Sequence, residues 1–315
     1  MIGRDPGVPW ALAADFFVNA GLALLVGAIA SLVWSRRYRS AWSSELRSQS
    51  SNCAGIGAAV ALSANVVDLW SRSATAADVP LMQAWPAVHS MLIGSHYGRA
   101  WAVGTIALMT VIPTAGFGLA RQGRRRSFML AVTTVCVAIF VHARSVVSHA
   151  SADGDLSVAV AVDWSHLVLI ALWVGMVFVA SIVDFRQLGQ AVHDRRDAAA
   201  WIRSLSRTAT VALVGIVATG AFNTWRATGG SLGKLAGSEY GTILFIKLLL
   251  VAVSIGLGAH NRFRRLPALL AELEGEGTDV GRLRSFVAVV RVEALTLAAA
   301  LATAAVLSSA EPPIA

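Results

Sequence analysis

The residues best suited to chemistry in this sequence are histidines accompanied by aspartate and methionine. Imidazole binds first-row transition metals, and the thioether sulfur of methionine favours Cu(I). Asp163 precedes His166 by three residues, a helical spacing at which a carboxylate can orient an imidazole ring. The sequence therefore predicts a transition-metal site centred on His149 and His166. Further candidate ligands are His89, His96, His142, Asp163, Met82 and Met91.

Ordinary structural roles compete with metal binding for each of these side chains. A single histidine at a membrane edge is more often an interfacial polar residue than a ligand, and Met82 and Met91 are equally suited to packing. His142 and His149 are seven residues apart, about 10 Å along a helix, so they would serve two depths of one path. Pro86 prevents a regular helix from aligning Met82 with the two histidines that follow it.

The elements that must position these residues are membrane-spanning helices. Of the 315 residues, 56% are hydrophobic and 14% are charged, a composition that excludes a soluble enzyme. Apolar runs of about 20 residues recur along the whole chain, and only helices satisfy the backbone within such runs. We expect an all-α integral membrane protein with eight transmembrane helices. The predicted spans are 10–34, 52–70, 98–120, 127–147, 157–184, 206–226, 239–262 and 285–308.

Basic residues between the spans predict the orientation of the chain. The connections after spans 1, 3, 5 and 7, with their adjoining helix ends, hold 18 of the 26 Lys and Arg, whereas the N-terminus and the other connections hold 6. By the positive-inside rule both termini lie outside, and five of the seven histidines lie near the outer boundary. Acidic residues outnumber basic ones on this outer face, which would attract cations. The net charge of +8 therefore indicates topology rather than nucleic-acid binding.

The first span and the two cysteines carry further expectations. The first apolar run is too long for a signal-peptide core, so we expect it to be retained. Cys53 begins one apolar run and Cys136 lies in the middle of another. Their different depths argue against a disulfide.

An internal repeat divides the predicted spans into two groups of four, residues 1–150 and 151–315. An even repeat unit keeps its orientation, so the two halves should be parallel. The segment 79–97 is predicted to be an outer-face or re-entrant element within the first half. The matched features are Asp15 and Gly27 with Asp163 and Gly175, Ser95–Gly98 with Ser238–Gly241, Asn65 and Trp70 with Asn223 and Trp225, and Ser148–Ala150 with Ser308–Ala310.

Lys247 and Glu293 are charged residues well inside predicted spans, where an isolated charge costs at least a few kcal/mol. Lys247 lies about two turns below the outer surface in span 7, and Glu293 about two turns above the inner surface in span 8. Their long side chains could form a buried ion pair. A transport path through both is the alternative.

Taken together, these residues resemble the CopD/PcoD family of bacterial copper resistance proteins. The resemblance is strongest from about residue 145 onward. It rests on His149-Ala150, Asp163, His166, Trp173, Gly175, Thr219-Gly220, Tyr240-Gly241, Lys247, Asn261-Arg262, Pro267, Glu293 and Pro312-Pro313. It implies copper, as Cu(I) or Cu(II), a multi-pass protein of the bacterial inner membrane with both termini periplasmic, and a periplasmic copper-binding partner.

The sequence and this resemblance favour a copper-binding membrane protein that captures copper at the periplasmic face and moves it across the membrane. We expect contact with membrane lipid, no enzymatic activity and no nucleic-acid partner. No nucleotide-binding motif is present, so transport would be passive or coupled to another gradient. One alternative is a haem b-binding electron carrier, since four-helix units with paired histidines also describe membrane cytochromes. The other is a copper-delivery or assembly partner that does not transport.

Overall fold

The chain folds into α-helices joined by short 3-10 turns. The computed structural model describes residues 8–115, 123–185, 188, 191–229, 232–235, 237–275 and 280–310, and these contain no β-strand, which confirms the all-α prediction. Pro312-Pro313 and the predicted end of span 3 at 116–120 lie outside the described residues. The helices are α1 Val8–Trp34, α2 Ala41–Ala76, α3 Trp85–Gly94, α4 His96–Pro113, α5 Arg124–Ser145, α6 Val158–Ile182, α7 Val192–Ala227, α8 Glu239–His260, α9 Leu266–Glu274 and α10 Val280–Ser309.

Within the described residues, seven segments are long and apolar enough to cross a membrane, so the chain is a multi-pass membrane protein. They coincide with seven of the eight predicted spans: Pro9–Arg37, Ala41–Ala76, Arg124–Ser145, Val158–Ile182, Val192–Ala227, Glu239–Glu274 and Gly281–Ser309. The remaining predicted span corresponds to α4, which has 18 residues and is not among the seven. The eighth span therefore stays a prediction.

Parts of the connections after spans 1 and 5 are helical, although the sequence predicted loops there. From Ala41 and Val192 onward they form the first turns of α2 and α7. Each of these helices has 36 residues, about 54 Å, which is longer than a bilayer is thick. The two helix starts dock on each other. Asp194 accepts the backbone N–H of Trp42 at 2.9 Å, and Asp197 accepts that of Ser40 at 3.1 Å. These carboxylates lie at the positive end of α2, which stabilises helix where charge alone suggested a loop.

The centre of the bundle is the crossing of α1 and α6. α1 packs along α2 and α6, whereas α4 pairs with α5 and α8 pairs with α10. A Cβ added to Gly27 would lie 2.1 Å from the carbonyl carbon of Gly175, and one added to Gly175 would lie 1.8 Å from the oxygen of Ala23. Only glycine permits this backbone approach. The two glycines matched in the predicted repeat thus contact each other.

Another matched pair of motifs begins α4 and α8 in the same way. The hydroxyl of Ser95 accepts the N–H of Gly98, and the hydroxyl of Ser238 accepts the N–H of Gly241, both at 2.9 Å. Each serine is an N-cap that satisfies a free helix donor. A Cβ on either glycine would lie 2.2 Å or 2.0 Å from a carbonyl oxygen of the preceding segment. Both motifs therefore let a helix begin tightly against the chain before it.

The segment 79–97 forms a short 3-10 turn, α3 and the start of α4. At ten residues, α3 is too short to cross a bilayer. It packs against α2 and α4 around a small core separate from the main one, formed by Leu69, Ala74, Ala84 and Val88. Half-buried Met91 packs against this core, and its sulfur accepts a hydrogen bond from Ser73 at 3.3 Å. That environment suits a packing role for Met91.

Candidate functional site

The tautomer of His166, on α6, is set by a hydrogen bond with Thr219 of α7. The Thr219 hydroxyl lies 2.6 Å from the carbonyl oxygen of Gly215, to which it donates, and 2.8 Å from Nδ1 of His166. Since its one proton is used, Thr219 accepts from Nδ1–H. The Nε2 atom of the neutral ring therefore keeps its lone pair, which is the form that binds a metal.

The neighbours of His166 come from two further helices. On α7, a Cβ at Gly220 would lie 3.2 Å from Cε1 of the imidazole, so the small residue makes room for the ring. On α8, Lys247 is the basic residue whose charge, when it is protonated, would act on His166. The imidazole is thus placed between a helix that orients it and a helix that carries a basic side chain.

Asp163 does not orient His166, contrary to the sequence prediction. Its Oδ2 accepts the Ser148 hydroxyl at 3.3 Å and its Oδ1 accepts the Asn223 amide at 3.4 Å. Ser148 also caps the 3-10 turn that begins with exposed His149. Asp163 therefore lies between the segment that carries His149 and the helix that carries His166. The i, i+3 spacing was compatible with an Asp–His bond, but side chains on other helices supply the partners instead.

His96 and His142 line a groove on the other side of α6. The groove, about 730 Å³, lies between α4, α5 and the chain before α6, and Asp155 and Trp164 also line it. Nε2 of His96 lies 2.8 Å from a carboxylate oxygen of Asp155. Because Trp164 and His166 are two residues apart on one helix, they point to nearly opposite sides of it.

The other predicted ligands are not gathered with these. Met82 is 93% exposed, and His89 is exposed on α3. Among the described residues, no group of three or more His, Cys, Asp or Glu could together hold a metal ion. The predicted ligands therefore form separate one-histidine and two-histidine environments, with no single multidentate centre in the described part of the chain.

A buried ion pair that sequence reasoning missed joins the ends of α1 and α5. The Arg144 guanidinium lies 2.8 Å from Oδ1 of Asp15, and the Ser308 hydroxyl donates to Oδ2 at 3.0 Å. Asp15 lies within an apolar run, and this position was the available signal, because an intramembrane acid requires a partner. The bond from Ser308 to Asp15 parallels that from Ser148 to Asp163.

A second polar cluster fixes α4 against α2. Both oxygens of buried Asp68 accept from Nε of Arg72, at 2.8 Å and 2.9 Å, and the Tyr97 hydroxyl donates to Asp68 at 3.1 Å. Burial, together with the negative charge of Asp68, raises the pKa of Tyr97. The phenol therefore remains a hydrogen-bond donor at neutral pH, and this cluster serves packing.

Lys247 and Glu293 do not form the predicted ion pair. None of the ion pairs between described residues joins them. Glu293 instead lies beside Gly258 of α8, where an added Cβ would be 3.2 Å from Oε1. Gly258 is eleven residues from Lys247, about 16 Å along the helix. Even long side chains do not close that separation.

Comparison with known proteins associates the chain with copper. The family model described as Copper resistance protein D-like, N-terminal domain, matches residues 8–158, and the model described as Copper resistance protein D matches residues 199–307. Together they cover most of the chain. Searches of curated proteins and of solved structures gave no significant match.

Proposed function

Because this chain belongs to the copper resistance protein D family, we propose that it captures copper at its periplasmic face and moves it across the inner membrane. Copper is the cargo in this proposal, so each site along the path must bind it well enough to admit it and weakly enough to release it. The observation that carries the proposal is the Thr219–His166 bond, which leaves Nε2 available. A neutral imidazole nitrogen suits either Cu(I) or Cu(II).

The proposed order of contacts follows depth along α6. Exposed His149 meets copper first, and Asp163 lies next, bonded to Ser148 beside it. His166 lies three residues further into the helix. A carboxylate and single imidazoles, rather than a closed cage, favour transient binding.

Lys247 favours release of copper at the next step. When Lys247 is protonated, its positive charge acts on His166, and copper at Nε2 would add a second cation at that place. Repulsion between them lowers the affinity of the occupied site and so favours release. Glu293, on α10 beside Gly258 of α8, is the next ionisable side chain on the proposed path.

The groove with His96, His142 and Asp155 is proposed to serve delivery. Its two histidines and a carboxylate lie together on one groove, and a periplasmic copper-binding protein could hand copper over there. The remaining predicted ligands would contribute only to binding of the partner protein at this groove. They are the exposed His89 and Met82 and the packed Met91.

The architecture proposed for this path is eight spans in two parallel four-helix repeats, 1–150 and 151–315, with both termini periplasmic. Three contacts support the repeat. Gly27 meets its counterpart Gly175, the bond from Ser308 to Asp15 mirrors that from Ser148 to Asp163, and α4 and α8 begin with the same cap. The distribution of Lys and Arg supports the orientation.

Copper binding by purified variants tests the proposal. We expect His166→Ala to lower copper affinity at least about tenfold. The loss of a supporting bond alone lowers metal affinity by roughly 10 to 100-fold, and this variant loses the metal-binding group itself. His193→Ala is the control, because His193 is exposed at the start of α7 and is not among the predicted ligands. Unchanged copper affinity in His166→Ala would contradict the proposal, and a Soret band in the purified protein would indicate haem instead.

A further inference from the structure

A row of polar side chains runs along one face of α8 into the turn that follows it. Lys247, Ser254 and Asn261 are spaced by seven residues, or about two helical turns, so they lie on the same face. Between Leu244 and Ala259 the other residues of α8 are apolar or glycine. Such a row inside an apolar helix requires partners from neighbouring helices or from water.

Protein atoms do not satisfy these groups. Ser254 is fully buried, and neither its hydroxyl oxygen nor Oδ1 of buried Asn261 has a hydrogen-bond partner among the described residues. Glu293 is 6% exposed beside Gly258, and within the described chain it makes no hydrogen bond or ion pair. Buried polar atoms are nearly always paired, with water where protein is not available.

The nearby cations are directed elsewhere. Arg262 donates to the backbone and hydroxyl of Ser206 and to Thr210, all on α7, and Arg291 donates to the carbonyl of Ser181 on α6. An ionised Glu293 would therefore be an uncompensated charge at bilayer depth, which is strongly unfavourable. The carboxyl is most stable there with a proton bound.

We propose that a row of water molecules joins Lys247, Ser254, Glu293 and Asn261 along the interface of α8 and α10, and that the protein conducts protons along it. Glu293 takes a proton from water on one side and releases it to water on the other, with no oxidation or reduction. The proton path stands independently of copper. Where copper transport also holds, the path lets transport draw on the proton gradient across the membrane, since the sequence carries no nucleotide-binding motif.

Measurement of proton flux tests whether Glu293 carries the proton. The protein is placed in proteoliposomes that contain a pH dye, with an imposed pH gradient and a clamped membrane potential. Flux should exceed that of protein-free vesicles, fall to their level in Glu293→Gln and persist in Glu293→Asp. Ser254→Ala should slow it, whereas Ser165→Ala should not, because that hydroxyl bonds only within its own helix. Equal flux in wild type and Glu293→Gln, or none in wild type, would overturn the proposal.

Thiol chemistry tests the water independently of Glu293. In a Cys53→Ala, Cys136→Ala background, Ser254→Cys should react with a small cationic methanethiosulfonate, whereas Val253→Cys, on the outward face of the same helix, should not. An unreactive Ser254→Cys under conditions that modify exposed Leu156→Cys would overturn the hydrated path, as would equal reaction at 253 and 254. Copper uptake by the same vesicles separates the two ideas: proton flux without copper uptake contradicts only the proposed function.

Discussion

The two predicted halves of the molecule contain similar helices, but these helices differ in how they pack and in which polar contacts they make. In the first half, 50% of the most apolar stretch of α2 is buried, whereas in the second half only 6% of that of α7 is buried. Asn65 donates to Thr105 at 3.0 Å and so joins α2 to α4. Its predicted counterpart Asn223 bonds Asp163 of α6 instead, and α8 keeps Lys247 without an ion pair among the described residues.

The register of the predicted repeat makes this contrast specific. With Asp15 aligned to Asp163, Val18 takes the position of His166, and with Gly98 aligned to Gly241, Gly104 takes that of Lys247. Val18 is fully buried, and a Cβ at Gly104 would lie 3.1 Å from the ring of Phe140. At these two positions the first half has valine or glycine, whereas the second half carries an ionisable side chain. We interpret the first half as the scaffold of the proposed copper path and the second as the half that carries its ionisable groups.

The largest expected effect comes from the crossing that joins the halves. Gly175→Leu should prevent folding, because even a Cβ there would lie 1.8 Å from a backbone oxygen of α1. The cost should exceed the about 1–3 kcal/mol typical of overpacking. Yield and monodispersity in detergent measure it. Gly256→Ala, where nothing lies within 4 Å, is the matched control and should fold normally; normal folding of both variants would contradict the crossing.

A matched pair of threonines sharpens the contrast between scaffold and site. Thr219→Val should lower copper affinity by about 10 to 100-fold, because Nδ1 of His166 loses the acceptor that sets its tautomer. Thr105→Val should leave copper affinity unchanged and lower the free energy of unfolding by about 1 kcal/mol, since it removes the bond with Asn65. Copper titration and thermal unfolding of both variants distinguish them. The comparison fails if Thr105→Val weakens copper binding as much as Thr219→Val does.

The smallest expected effect is the coupling between Lys247 and Glu293. A buried pair would be rescued by removing both charges, but Glu293 lies beside Gly258, which is about 16 Å from Lys247 along α8. The double variant Lys247→Met, Glu293→Gln should therefore not recover the stability lost in the single variants. Thermal unfolding of all four proteins gives the coupling energy, and recovery of stability in the double variant would restore the ion-pair hypothesis.

Hydropathy predicted the apolar helices well because a bilayer leaves few alternatives to a long helix. It missed the helical starts of α2 and α7, because their charged residues are typical of a loop. In the structure, Asp194 and Asp197 of α7 accept backbone N–H groups at the start of α2 and so stabilise it as a helix. Residue type suggested His166 as a candidate ligand, which stays a prediction, and spacing suggested Asp163 as its partner. The actual partner, Thr219, is 53 residues away, and such contacts depend on how helices cross, which a single sequence does not specify.

Copper uptake into sealed proteoliposomes tests most directly the claim that the second half carries the copper path. Wild type should accumulate copper above protein-free vesicles, and His166→Ala should fall to their level while its unfolding temperature stays close to that of wild type. His142→Ala should retain uptake, since its imidazole lines the groove across α6. Wild-type uptake in His166→Ala, or its loss only in His142→Ala, would contradict the account.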